Sequence, residues 1–504
     1  MRIMLIIPPS TYKKGEHYFL SFPVGTASLG AVLEKEGHNV KILDCNIEDP
    51  RPKDDEYGFM VGLEWEEIGK RFKEFDPDII GISCYFTAQF SNVKKLSKIL
   101  KRIKPSIKTF GGGASVEKGL EVGIIDYAVF GEGEETSKEL MHALENNEPL
   151  DDIKGIGYKK DGKIIKNQKR EWIKNLDNLP LPAYHLFPMW KYFKYGKKGI
   201  YNFYTKRNPF ISVATSRGCP YDCCFCSVRS IWEYSFRTRS PEHVLKELDL
   251  LVKKYGVKEI QFIDDNLTLV KDRAMKIFQG IIDKRLDLSW STPNGIMVKT
   301  LDEELIEKMA ESGCYRVNLG IESGNQKVVD TIVRKPLNLD YCRKIIRILK
   351  KNKIKVTGFF VLGMIGETLR DMEDTIRFAK ENPFDDVFFS IATPYPNTDF
   401  WDLAVKKGYL KRSNLNGLKG RFTSISTENF TAEQVEKMRN KAYVQFNFSK
   451  FKRDPITFIT EKVNYINTIR RVRFFIYNKF LNGSDINLDK GKGILTSRKP
   501  SIYA

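Results

Sequence analysis

The chain has little of several things, and each shortage removes a class of protein. No window holds about 18 consecutive apolar residues, so nothing reads as a bilayer-spanning helix. The opening MRIMLIIPPS has one Arg and an apolar run that stops at two prolines. It is shorter than a signal-peptide core, lacks a small-residue cleavage site and reads as a buried first strand. Cysteine is too sparse for a disulfide-stapled scaffold, at eight in 504 residues. Cys45, Cys84, Cys314 and Cys342 stand apart and are expected to be buried thiols of a reducing cytoplasm. Neither a second C-x2-C nor an H-x3-H pair exists to complete an ordinary structural zinc site.

What is present describes a folded chain. Hydrophobic residues make up 41% and aromatics 12%, close to the globular average. At about 100–200 residues per domain, the length predicts two to four domains. The net charge of +19 is compatible with nucleic acid, anionic cofactors or a membrane surface. Much of it is diffuse, with Lys and Glu both plentiful. From Phe451 onward, however, eleven Lys/Arg face four Asp/Glu.

Residues 1–147 alternate short apolar runs (IMLII, NVKILD, DIIGISCY, IKTFGGG, YAVFGEG) with helical patterns such as GTASLGAVLEKEG and TSKELMHALE. That alternation predicts a doubly wound, Rossmann-like α/β domain with a parallel sheet. Residues 148–208 hold a hairpin candidate, GIGYKKDGKIIKN, and a proline-rich stretch, LDNLPLPAYHLFP, read as an extended linker. Residues 209–400 resume the alternation with six apolar strands: ISVATS, EIQFIDD, LSWSTPN, RVNLGIES, VTGFFVLG and DVFFSIATPYP. Six βα units predict an open partial barrel, with chemistry where its strands end. Those ends carry Cys219, Asp264, Asp265, Asn294, Glu322, Gly363 and Pro394. Residues 401–504 read as a helical extension with one long helix, TAEQVEKMRNKAYVQFNFSKF, then a basic aromatic helix and a tail.

The stretch SRGCPYDCCFC puts four thiols into eight positions, Cys219 to Cys226. Zinc would want a second pair of ligands, and a redox dithiol uses two thiols, not three. An iron–sulfur cluster held by three thiolates suits the spacing C-x3-C-x2-C better. Three ligands on a four-iron cluster leave one iron open to a small molecule.

With its C-x3-C-x-aromatic-C after the first barrel strand, the chain resembles the radical S-adenosylmethionine superfamily. The resemblance selects Cys219, Cys223 and Cys226 as ligands of a 4Fe-4S cluster, places Phe225 at the aromatic position and leaves Cys224 out. It implies that Glu322, in LGIESG, binds the ribose hydroxyls of S-adenosylmethionine, and that Gly363 and Gly366, in FVLGMIGET, admit the adenosine. FIDDN departs from the family's glycine-glycine-glutamate motif. Asp264 or, preferably, Asp265 is its replacement for gripping the methionine amino group.

The first domain resembles the cobalamin-binding domain of the subgroup containing the anaerobic magnesium-protoporphyrin cyclase and many methyltransferases. FPVGTASLGAVLEKEGHNVKILD, GISCYFT, FGGGASVEKG and DYAVFGEGEET carry that resemblance. It implies a corrin held by Ser83, Gly111, Gly112, Gly113, Gly131 and Gly133. The D-x-H-x-x-G motif that would supply a cobalt-binding histidine is missing. His38 reads as a solvated turn residue.

The resemblance implies an enzyme that reduces its cluster, cleaves S-adenosylmethionine to a 5′-deoxyadenosyl radical and methylates an unactivated carbon from methylcobalamin. The expected partners are a reductase, ferredoxin or flavodoxin-type electron donor and a small-molecule or lipid-like substrate. The alternatives are radical cyclisation or rearrangement without methyl transfer, and RNA modification. RNA-modifying relatives carry a second set of three cysteines and an RNA-binding module, and neither is visible. The basic segment NTIRRVRFFIYNKF is read as a terminal helix with a solvated face, with peripheral membrane contact as its functional alternative.

Overall fold

The computed structural model describes the chain except for His17, Phe19, residues 85–88, Ala114, and residues 197–204, 411–424 and 464–504. The described residues from Met1 to Phe446 form one compact unit, and those from Asn447 to Val463 belong to a second. The basic aromatic segment and the tail lie outside the described residues.

The first unit is built on two sheets. One has seven strands, ordered edge to edge Lys163–Lys166, Ile156–Lys160, Tyr127–Val129, Lys108–Gly112, Ile79–Ser83, Arg2–Ile7 and Asn39–Asp44. The last five are mutually parallel and the first two join as an antiparallel edge. The hairpin candidate is therefore an extension of this sheet. Period-2 alternation sorts the first strand between two cores. Ile3 and Leu5 belong with the helices Val24–Lys35 and Gly133–Asn146, while Met4 and Ile6 belong with Trp65–Phe75 and Phe90–Ile103. Chain order reverses at Arg2–Ile7, so a crevice opens at the carboxyl ends of its strands. An antiparallel trio, Ser10–Lys13, Gly58–Val61 and Pro52–Asp55, rises from the loops after the first strands. The alternation pattern did not announce it.

The second sheet has six parallel strands in chain order: Phe210–Val213, Glu259–Phe262, Ser289–Ile296, Cys314–Glu322, Lys355–Leu362 and Asp386–Ile391. It is the open partial barrel expected from the count of apolar runs. Local signals delimit its helices. Pro241–Tyr255 starts behind Ser240, whose side chain accepts from His243 N–H, has Pro at its first turn, and ends at Gly256 with φ 66°. Leu369–Glu381 opens with a reciprocal capping box between Thr368 and Asp371. Each such cap contributes about 1 kcal/mol.

The proline-rich linker is less extended than its composition suggests. It makes 3₁₀ turns at Leu176–Asn178 and Tyr184–Leu186, then the helix Met189–Tyr195. Asn175 drives the first turn by accepting from Asp177 N–H. Tyr184 stacks on Phe22 of the first domain and donates to Glu247 of the barrel, tying the two together. The helix Ala432–Arg453 appears where the sequence places it, and its Tyr443 packs edge-on against Phe389 of the last strand.

Candidate functional site

The cysteine loop is clamped before its first thiol. Ser216–Arg217 pairs with Arg237–Thr238 as a small hairpin. Gly218 follows with φ 85°, and a Cβ there would fall 2.1 Å from Ser235 O, so only glycine fits the turn. The two aspartates of FIDDN divide the remaining work. Asp264 is buried and accepts from Thr215 N–H at 3.0 Å, from Thr215 Oγ1 at 2.7 Å and from Ser216 Oγ. It holds the strand end in place. Asp265 accepts from Gly218 N–H at 3.2 Å, and burial beside Asp264 pushes its carboxyl up to about 6. Of the pair the sequence offered, Asp265 faces the loop.

Three of the four thiols share one electrostatic neighbourhood. Burial pushes Cys223 up to about 12, opposed by the Lys335 ammonium and reinforced by Glu322, Cys226 and Cys219. Cys219 is raised by burial and feels Asp265 and Lys335; Cys226 is raised by burial and feels Cys219, Glu322 and Asp265. Cys224 looks the other way. Its N–H donates to Val333 O, its carbonyl accepts from Phe400 N–H, and its thiol is pushed up to about 12 by burial, with Arg334, Asp399 and Asp222 as its charged neighbours. It packs with Phe225 in an apolar cluster that includes Met364 and Phe400. Phe225 thus anchors the cysteine loop against that apolar cluster. Among the described residues no three His, Cys, Asp or Glu side chains converge as a single ion would require. Cluster thiolates bind separate irons and need no such convergence.

Glu322 closes its strand in an unusual backbone state. It is buried, has φ 69°, and follows a register shift at Gly320. Left-handed backbone at a non-glycine residue costs about 1–3 kcal/mol and concentrates at functional sites. Lys335 Nζ donates to Glu322 Oε1 at 2.8 Å. A Cβ on Gly320 would lie 2.7 Å from that ammonium and 2.8 Å from that carboxylate, so the glycine makes room for the pair. Sequence reasoning missed Lys335. Its only signal is a charge at the end of TIVRKP, visible to a reader who asks what neutralises Glu322.

Gly363 and Gly366 both have positive φ, 86° and 99°. The N–H groups of Gly363 and Met364 donate to Glu367 at 2.9 and 2.7 Å. Glu367 is fully buried, and burial pushes its carboxyl up to about 8. A Cβ on Gly363 would come 2.9 Å from Val435, so that glycine is approached by the C-terminal helix.

In the first sheet, Ser83 and Gly112 are register partners at neighbouring strand ends. Gly113 and Gly131 follow with φ 112° and 76°, and Gly133 opens the helix Gly133–Asn146. These five positions gather at the carboxyl edge. Gly111 does not reach it: its missing side chain faces Ile82 O at 3.0 Å and Ile125 at 3.1 Å, which is packing inside the sheet. His38 also differs from expectation. It is buried at the amino end of Asn39–Asp44, beside the Met1 amine at 3.3 Å, because that end of the strand is covered by the chain start. The opposite, carboxyl edge holds the crevice, so His38 cannot reach beneath a corrin there.

The residues fit the cofactors the sequence implies. Cys219, Cys223 and Cys226 have one another, Glu322 and Asp265 among their ionisable neighbours. Asp264 Oδ2 and both amide atoms of Asn266 are buried at the barrel's second strand end without a protein partner, leaving polar capacity for a ligand. Gly112 leaves room where a Cβ would meet nothing nearer than 3.6 Å. A family model described as the radical SAM superfamily matches residues 213–379, and one described as the B12 binding domain matches residues 15–141. The chain is 35% identical over 452 residues, 88% of its length and 92% of the relative's, to an uncharacterized methyltransferase of Pyrococcus horikoshii. It is 32% identical over 444 residues, 81% of its length and 82% of the relative's, to the cytidylyl-2-hydroxyethylphosphonate methyltransferase of Streptomyces wedmorensis. The radical S-adenosylmethionine methyltransferase TsrM of Kitasatospora setae, solved with cobalamin and a 4Fe-4S cluster bound, shares the fold with TM-score 0.63 at 17% identity, over 82% of this chain and 76% of that one. With both domains matched and two such relatives spanning most of its length, the chain belongs to the cobalamin-dependent radical S-adenosylmethionine methyltransferases.

Proposed function

We propose that this enzyme methylates an unactivated carbon of a small-molecule substrate at the mouth of the partial barrel, with Cys219, Cys223 and Cys226 as the cluster ligands. The observation that carries the assignment is the division of the four thiols: three have Lys335, Glu322 and Asp265 among their charged neighbours, whereas Cys224 packs against an apolar cluster and has Arg334, Asp399 and Asp222 instead. When bound, the cluster supplies the electron that cleaves S-adenosylmethionine, and cobalamin supplies the methyl group. The chain's own residues bind and orient. Asp265 accepts from the methionine amino group, and Glu322, oriented by Lys335, accepts from the ribose hydroxyls. The Gly363–Gly366 turn, shaped by Glu367, borders the adenosine. Ser83, Gly112, Gly113, Gly131 and Gly133 present backbone to the corrin.

The functional division follows residues 1–147, 148–208, 209–400 and 401–504, with the hairpin counted to the first domain. A cytoplasmic ferredoxin or flavodoxin is the proposed electron donor. Four buried, unpaired thiols outside the cysteine loop support a reducing compartment, and among the described residues no helix is long and apolar enough to cross a membrane. The test is anaerobic reconstitution with iron, sulfide and hydroxocobalamin, then metal analysis and a dithionite-driven assay for 5′-deoxyadenosine. Four irons and one cobalt per chain, with deoxyadenosine formed, support the proposal. A cluster without cobalt would leave a radical enzyme that transfers no methyl by this route.

A further inference from the structure

Arg217, two residues before Cys219, reaches into the other domain. Its Nη1 lies 2.5 Å from Glu132 Oε1 and its Nη2 lies 2.6 Å from Glu134 Oε1. Both glutamates are buried, their side chains 2% and 7% exposed. They alternate with Gly131 and Gly133, the glycines at the edge of the first sheet's crevice. Glu132 is gripped a second time by Arg237 Nη1, at 2.7 and 2.8 Å, from the strand paired with Ser216–Arg217. The Arg237 guanidinium lies over Trp172 and Trp232, 5.3 and 5.4 Å from the ring centres. Trp172 is also what a Cβ on Gly131 would meet, at 3.4 Å. An unbroken set of contacts therefore runs from the crevice loop through Trp172, Arg237 and Arg217 to the cysteine loop.

Burying four charges to join two domains is costly, and apolar packing would join them as firmly. What a forked guanidinium adds is fixed geometry. We infer that the Arg217–Glu132–Glu134 bridge is a positioning device that sets the corrin at a defined separation and angle from the cluster. The segment Gly131–Glu134, where the strand end turns into the helix Gly133–Asn146, faces the corrin through its glycines and the cysteine loop through its carboxylates. The inference rests on the proposed corrin contacts of Gly131 and Gly133. Arg217 is a positioning residue and touches neither substrate nor cofactor.

The test uses the full chain carrying both cofactors, with the cluster reduced and the cobalamin as paramagnetic cob(II)alamin. Pulsed EPR then reads the relaxation of the cobalt spin by the cluster spin, which depends steeply on their separation. The wild type should show one relaxation rate. Arg217→Gln should replace it by a broad spread with iron and cobalt content unchanged, and Arg217→Lys, lacking the fork, should give an intermediate spread. If Arg217→Gln does not fold, Glu134→Gln removes one arm and should broaden the spread on its own. A wild-type rate retained in cofactor-loaded Arg217→Gln or Glu134→Gln overturns the inference. Absence of cobalt from the wild type would instead sink the cobalamin reading, and the bridge's role with it.

Discussion

The barrel mouth and the crevice of the first sheet offer a ligand opposite kinds of contact. At the mouth the proposed ligand contacts are ionisable side chains: the buried Glu322 against Lys335, the half-buried Asp265 beside Asp264, and three half-buried thiols. In the crevice the assigned contacts are one serine and four glycines at strand ends and turns. Side-chain chemistry depends on which atoms are present; backbone chemistry depends on room and on φ. The mouth should therefore be sensitive to isosteric substitutions, and the crevice to added bulk.

The largest effect should come from the thiols. Cys223→Ala is expected to abolish the cluster and with it all deoxyadenosine formation, whereas Cys224→Ala should keep both. Iron content and product assayed side by side decide this, and equal losses in the two variants would erase the distinction between the thiols. Next comes the buried ion pair. Lys335→Met leaves Glu322 uncompensated and should destabilise the fold by about 3–5 kcal/mol, the usual cost of breaking a buried pair from one side. Glu322→Gln with Lys335→Met should recover most of that stability without recovering S-adenosylmethionine affinity. Urea unfolding and equilibrium binding separate the two readouts.

Glu367 yields a pH-dependent effect of middle size. Its folded carboxyl is raised to about 8, so the native state holds a proton that the unfolded chain releases near the ordinary glutamate value. The sign follows: this group's contribution is neutral at low pH, becomes destabilising as pH rises above the unfolded value, and levels off above about 8. Glu367→Gln keeps an acceptor for the Gly363 and Met364 N–H groups. It should remove roughly 2–4 kcal/mol of stability loss between pH 5 and pH 9. Parallel pH–stability curves for the two proteins would refute this. The smallest effect belongs to the crevice. At Gly112 an added Cβ meets only Val129 O at 3.6 Å, an ordinary contact. Gly112→Ala should thus leave the melting temperature of the cofactor-free protein unchanged while weakening cobalamin binding about tenfold, as an added methyl in a close contact does. A shifted melt with unchanged cobalamin affinity would move Gly112 from the crevice into the core, where Gly111 already belongs.

Much of this site was legible because its residues are close in sequence or end recognisable strands. Cys219 and Glu322 follow the ends of apolar runs, Cys223 and Cys226 lie at short fixed spacing from Cys219, and six such runs in order predict a parallel sheet before any contact is known. The misses have a common cause. Lys335 lies 13 residues from its partner beyond the helical segment Gln326–Val333, His38 is buried by Met1 and Glu145, and Gly111 is separated from Gly112 only by which way its missing side chain would point. None of these is a property of local pattern.

By itself, the sequence determined the order of the main apolar strands and the two-sheet architecture, because periodicity survives without knowledge of neighbours, and its C-x3-C-x-aromatic-C stretch carried the resemblance that proposes three cysteines and skips a fourth. Tertiary structure alone decided which of two adjacent aspartates faces the cysteine loop, what balances the buried Glu322, and that Arg217 bridges to Glu132 and Glu134. Those outcomes depend on burial, which makes an unpaired charge expensive and so selects partners by proximity in space, and proximity between distant segments is not written in either segment.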